Sequence, residues 1–351
     1  MSRRFTIECL RPPQCNVNGP SNRVNPLSSI PAHPDSRSLA ASLAPLVVQA
    51  CGGRLGDITW FKTDWQRGGA ATGKSTFKTD DGQSVPVILK LPVVQRELHW
   101  TRRLQDDVWA HNSAGDIPIP RLYACGETLG GYDLAWIVIE QFPHGPLGLH
   151  WHDDHIPRLV EAAARFHAAA EAFAVDAEPR QEDWPQLLHE SADNVRTNHI
   201  GHDQRWSAAI KTLRHRLPRV LAEWNARDVQ HWLHGDLHLA NGMSRVALDS
   251  GPVCLIDLAE VHAGHWVEDA VYLERQLWAR PERLKLHKPV KEMSAARKRF
   301  GLKVEGDYPR LAMIRRGLLA ATAPRFIKSE GHPGYLEACL TWLEIALNEL
   351  K

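Results

Sequence analysis

The sequence predicts an α+β chain in two lobes, a small antiparallel β-sheet lobe followed by a larger, mainly helical one. Three observations predict it. Between residues 57 and 90, short runs rich in β-branched and aromatic residues alternate with glycine-bearing turns. From about Ile156 onward, apolar residues recur at helical spacing. The length of 351 residues, at roughly 150 per domain, suits two domains or one two-lobed unit.

The elements follow in order. Residues 1–36 hold six Pro, four Asn and five Ser with no hydrophobic period, a composition that reads as a flexible N-terminal arm. A helix starts at Ser36 to Ser38, runs through Leu39, Leu43, Leu46 and Val47, and stops at Gly52-Gly53. "DITWF" reads as a strand, "QRGGAATGKS" as a glycine turn and "TFKT" as a second strand. Asp81-Gly82 then turns the chain into "SVPVILK", which ends at Lys90. Pro92 suits the first turn of a helix carrying Val94, Leu98, Leu104 and Val108. "LAWIVIEQF" (134–142) is a buried strand. Ile156 to Ala170, Trp206 to Trp224 and "EACLTWLEIAL" are amphipathic helices. These readings divide the chain into the arm (1–36), a sheet lobe (37–140) and a helical lobe (141–351).

Composition narrows the function. Lys+Arg (42) nearly balance Asp+Glu (41), so no global field of one sign advertises nucleic acid or an anionic membrane. The six cysteines are scattered without a C-x-x-C pair, which argues against a disulfide framework or zinc ribbon. No apolar run approaches the about 18 residues of a membrane span. The stretch after Arg3 and Arg4 is too short for a signal peptide. A cytoplasmic protein is expected, with neither a membrane nor a nucleic acid as partner; the sequence is silent on oligomeric state.

The segment that carries chemistry is "HWLHGDLHLANGM" (231–243), followed by "PVCLIDLAEVHAGHWVEDAVYL" (252–273). Asp236 and Asn241 share one loop, and Asp257 leaves a short buried strand. Carboxylate and amide oxygens of this kind suit Mg²⁺ together with phosphate. The plain alternative is that these polar groups cap turns.

These residues resemble the aminoglycoside phosphotransferase and choline kinase-like family, a branch of the protein-kinase-like fold. Its H-G-D-x-x-x-x-N loop, I-D segment and later Gly and Asp are matched by His234, Gly235, Asp236, Asn241, Asp257, Gly264 and Asp269. The resemblance implies Asp236 as catalytic base, Asn241 and Asp257 as Mg²⁺ ligands, and ATP as phosphoryl donor. It implies that Lys90 pairs with the α/β-phosphates and is held by Glu97. The glycines of the turn, Gly68, Gly69 and Gly73, would cover the nucleotide, and the backbone of Glu140 and Phe142 would meet the base. Three departures stand out. Gly235 replaces the arginine of protein kinases, which points to a small-molecule hydroxyl acceptor; Leu258 follows the metal Asp; and Gly264-His265-Trp266 replaces G-D-P. The resemblance spans roughly residues 55–275.

Other signals were weighed beside it. Residues 68–75 satisfy the P-loop expression G-x-x-x-x-G-K-[ST], yet a hairpin rather than a helix follows Ser75, so a turn over the phosphates is expected instead. His144, His150, His152 and His155 with Asp153 and Asp154, and His231 with His234 and His238, could bind zinc as in a hydrolase. His167 reads as a satisfied core histidine. Residues 153–190 hold nine Asp/Glu against three Lys/Arg, and 280–303 hold nine Lys/Arg against two Glu. Such runs are ordinarily solvated faces; alternatively the acidic one borders the acceptor pocket and favours a cationic substrate, and the basic one meets an anionic partner. The rival to a small-molecule kinase is a nucleotide-binding pseudokinase without turnover.

Overall fold

In a computed structural model, residues 36–62, 70–105, 117–326 and 334–351 are described. The proposed arm lies outside them except for Ser36, which opens the first helix, α1 (Ser36–Ala50). Gly52 and Gly53 follow at φ +62° and +73°, left-handed positions that stop the helix without side-chain strain.

The strands β1 (Thr59–Lys62), β2 (Ala71–Lys78) and β3 (Ser84–Leu91) are antiparallel neighbours. Two expectations are corrected here. The glycine turn is shorter than the sequence suggests, because Ala71–Ser75 already belongs to β2. Pro92 precedes the next helix, α2 (Gln95–Arg103), rather than opening it. The proposed continuation of α2 to Ala110 falls partly outside the described residues. β4 (Leu122–Gly126), which the sequence did not reveal, and β5 (Trp136–Glu140) complete a sheet of order β1-β2-β3-β5-β4.

Alternation decides what each face of β3 touches. Val87, Leu89 and Leu91 are fully buried and pack with Leu43, Val47 and Phe77 under α1. Ile88 and Lys90 therefore point to the opposite face, where Leu98 of α2 and Ile137 and Ile139 of β5 lie.

The helical part begins with α3 (His155–Ala170), buried on nearly every side through Ile156, Leu159, Val160, Ala163, Phe166 and Ala170. α4 (Trp184–Thr197) and α5 (Asp203–Asn225) follow. α5 buries one stripe from Trp206 through Ile210, Leu213 and Leu217 to Trp224, as its period predicts. Two small hairpins come next: β6 (His231–Leu233) is completed by β9 (His262–Gly264), and between them β7 (Gly242–Ser244) pairs with β8 (Val253–Leu255). The chain ends with α6 (Val267–Arg275), the short α7 (Pro281–Leu284), α8 (Pro289–Arg299), α9 (Tyr308–Thr322) and α10 (Tyr335–Glu349). One continuous core joins these helices to both hairpins. No helix of the described residues is long and apolar enough to cross a membrane.

Part of the acidic run is neutralised by basic residues from other segments of the helical lobe. Glu161 in the acidic stretch pairs with Arg299 in the basic one, and Glu182 and Glu190 pair with Arg315 and Arg325.

Candidate active site

Lys90 and Glu97, seven residues apart in sequence, meet because β3 aims Lys90 at the face that α2 covers. The Lys90 amine bonds to Glu97 Oε1 and lies 3.4 Å from Asp257 Oδ1. Burial alone would pull this lysine's pKa down, but the charges of Glu97 and Asp257 outweigh it and hold the ammonium above its ordinary value. Asp257 is held below the usual carboxylate range, chiefly by Lys90. It adopts φ +67°, an uncommon left-handed conformation for a residue other than glycine. One amine thus bridges carboxylates from the two lobes.

The loop after β6 places Asp236 beside this pair. Its Oδ1 accepts from the Tyr272 hydroxyl (2.8 Å), its Oδ2 accepts from Asn241 Nδ2 (3.1 Å), and His238 Nε2 lies 3.3 Å away. Burial raises the carboxyl's pKa, yet the hydrogen bonds and charge of His238, joined by Tyr272, bring it down to about 2. Asn241 spends its amide hydrogens on Asp236, on the backbone oxygen at 3.0 Å as well as the carboxylate. That orientation leaves Oδ1 as the group available to a cation.

Backbone contacts fix the loop. Asp269 on α6 accepts from the His234 N–H and the Gly235 N–H, both at 2.9 Å. Burial would raise the Asp269 pKa, and the His167 hydrogen bond with these donors holds it low. His234 Nε2 donates to Ile256 O (3.0 Å) while its Nδ1 accepts from the Asp236 N–H (3.3 Å). One buried imidazole thereby ties the Asp236 loop to the residue before Asp257. Gly235 sits at φ +79°, and a Cβ there would meet Glu260 O at 2.1 Å, so this position admits only glycine.

Behind Asp269 stands a row of buried groups. His167 Nε2 donates to Asp269 Oδ2 at 3.0 Å, and Arg297 Nη1 donates to His167 Nδ1 at 3.2 Å. Burial keeps the His167 pKa below its ordinary value. The expectation of a satisfied core histidine holds, and the histidine is also a strut of the loop.

The structure thus brings together Lys90, Glu97, Asp236, Asn241 and Asp257. Gly68 and Gly69 lie outside the described residues. Gly73, read as part of the turn, lies inside β2 opposite Leu89, where a Cβ would meet Ile58 Cγ2 at 2.5 Å. Lys74 is exposed, with its amine 5.7 Å above the Phe61 ring, and no helix follows Ser75, as the rejection of a P-loop requires. Glu140 ends β5, and its carboxylate is clamped by Arg245 Nη2 at 2.8 Å, ahead of the buried Phe142. Tyr272, His238, His167 and Arg297 are contributors that the motif did not name. Only the proximity of His238 and Tyr272 to the matched segments hinted at the first two. Among the described residues, His144 to His155 form no three-ligand group; His155 Nδ1 instead accepts from the Gly148 N–H.

A profile of the phosphotransferase enzyme family matches residues 67–313. The chain belongs to this family. The match contains Lys90, Glu97, Asp236, Asn241 and Asp257 and takes in most of both lobes. No curated protein matches the chain in sequence. Among solved structures, a microcompartment-associated aminopropanol kinase superposes with a TM-score of 0.55 at 12% identity, covering 87% of this chain and 95% of its own. A Ralstonia eutropha protein assigned to the aminoglycoside phosphotransferases gives 0.53 at 15%, covering 90% and 97%. An aminoglycoside phosphotransferase from Alicyclobacillus acidocaldarius gives 0.50 at 15%, covering 92% and 96%. At these identities the likeness establishes the fold, a two-lobed kinase-like one.

Proposed function

We propose that this phosphotransferase moves the γ-phosphoryl group of ATP to a hydroxyl of a small molecule, with Asp236 as the base. The observation that carries the reading is the convergence of Asp236, Asn241 and Asp257 with a lysine anchored by Glu97 from the other lobe. Lys90 meets the α/β-phosphates, and Glu97 fixes its amine where they bind. The turn before β2, with Gly68 and Gly69, covers the phosphates; Gly73 supports it from within the strand. Backbone groups at Glu140 and Phe142 receive the base.

The donor set fits Mg²⁺: the Asp257 carboxylate and the Asn241 amide oxygen are hard oxygen ligands of the kind this ion prefers. Bound there, the ion would neutralise charge on the transferred group. Asp236, at a pKa of about 2, is ionised under all physiological conditions. It orients the acceptor hydroxyl through a hydrogen bond and takes its proton late, which suits a loose transition state with little early proton transfer. Tyr272 and Asn241 hold its two oxygens in place.

The names of the similar structures, aminopropanol kinase and aminoglycoside phosphotransferase, support an amino-bearing alcohol as acceptor. A reducing, cytoplasmic setting agrees with six scattered cysteines that offer no C-x-x-C pair. The test is an ATP-consumption screen over hydroxylated metabolites and antibiotics, with the product identified by phosphorus NMR. Transfer to at least one amino alcohol or amino sugar is expected. MgATP binding without transfer to any acceptor would replace the reading with a pseudokinase.

A further inference from the structure

On the far side of Asp269 from the cleft, three groups from separate segments converge. Asp228 before β6, His231 at its start and Glu305 between α8 and α9 bring a carboxylate oxygen, an imidazole nitrogen and a second carboxylate oxygen within 4.8 Å of one another. Two of these atoms, His231 Nε2 and Glu305 Oε1, are shut off from solvent and make no hydrogen bond. They face each other at 3.5 Å, and the His231 side chain is only 9% exposed. At that separation the two buried atoms satisfy each other only loosely, and a group placed between them would serve both. Glu305 is already aimed: its other oxygen accepts from Trp266 Nε1 at 2.9 Å and His265 Nε2 at 3.1 Å. Such outer hydrogen bonds orient metal-ligating carboxylates.

We propose that Asp228, His231 and Glu305 form a site for a divalent transition ion of the zinc class, separate from the magnesium ligands of the cleft. One imidazole with two carboxylates suits Zn²⁺, whereas Mg²⁺ prefers an all-oxygen set. Tetrahedral Zn²⁺ with bonds of roughly 2.1 Å sets its ligands about 3.4 Å apart, so small inward movements close the site. The Lys303 amine, 2.6 Å from Asp228 Oδ2 and 3.7 Å from Glu305, is the counter-cation that the ion displaces; its side chain is 63% exposed and free to swing away. The role is structural. His231 pairs with Gly264 across the β6–β9 hairpin and stands three residues before His234, so a bound ion fastens the base of the Asp236 loop to the α8–α9 turn.

The test is calorimetric titration of the chelator-treated full chain with Zn²⁺, with Mg²⁺ in excess throughout, beside thermal melts. One ion per chain and a raised melting point are expected. Glu305→Gln and His231→Ala should each weaken binding at least about tenfold. Lys303→Ala should tighten it, and His152→Ala, in the exposed histidine cluster, should leave it unchanged. Glu305→Gln keeps the side-chain shape and serves if His231→Ala fails to fold. Absence of stoichiometric binding overturns the proposal. So does binding that survives Glu305→Gln or is abolished by His152→Ala.

Discussion

Asp236 is the residue on which the proposed chemistry turns, and its surroundings say how it acts. Three neighbours engage a carboxylate whose pKa is about 2, so it serves as a fixed acceptor rather than a freely titrating base. Asp236→Asn keeps the hydrogen-bonding shape and removes the charge. Transfer should fall by roughly 10²–10⁴-fold while MgATP still raises the melting point. Normal turnover in that variant would remove Asp236 from the mechanism. His167 supplies a second test, this time of stability. Burial lowers its folded pKa, so the folded chain resists a proton that the unfolded chain accepts below about pH 6.5. Its contribution is complete above that pH and is lost as pH falls toward the lowered folded value. In His167→Asn, which can still donate to Asp269, the melting point should fall less steeply between pH 7 and 5 than in the natural chain. Parallel slopes would contradict the assignment.

At the scale of elements, β2 and β3 decide which lysine is placed to serve the proposed nucleotide. Thr72 pairs with Lys90, and Lys74 lies two residues further along on the exposed face of β2. Lys90→Ala should abolish detectable MgATP binding in calorimetry, whereas Lys74→Ala should change affinity by less than about threefold, as for an exposed charge. The reverse order would revive the P-loop reading. These strands also mark how far the sequence could be read. The stretch Ala71–Ser75 looked like a turn because the side chains it buries are Ala, Gly and Ser, too small to register as an apolar alternation. β4 was invisible for a related reason: all five of its residues are half-buried, so neither face carries a pattern. Pro92 satisfied a helix-start rule, but α2 begins three residues later. The proposed catalytic segment was legible because its residues are local to one loop and one hairpin. The His167–Asp269 and Arg297–His167 contacts span 102 and 130 residues, separations at which no spacing rule operates.

Across the whole molecule, two charge contacts among the described residues join the lobes. One is the Lys90 bridge. The other is Arg245, next to β7, which donates to Glu140 at the end of β5 and to the backbone oxygens of Ile117 and Ile119, each at 2.9 Å. Both side chains of this pair are largely buried, so removing the guanidinium leaves Glu140 as a buried, uncompensated charge. Arg245→Ala should destabilise the protein by about 3 kcal/mol in chemical denaturation. Arg245→Lys should recover little of the loss, because an ammonium cannot reproduce the planar fork. Full stability in both variants would show that the clamp is dispensable.

The bridge at Lys90 has one more implication. In the proposed role, a triphosphate arriving in the crevice would meet an amine that already faces Asp257 at 3.4 Å, and would compete with that carboxylate for it. Docking would then be a trade of counter-ions, and a measured affinity would report the difference between two pairings rather than the strength of the new one. Substituting Asp257 would therefore leave the lysine readier to grip a metal-free nucleotide even as turnover disappears.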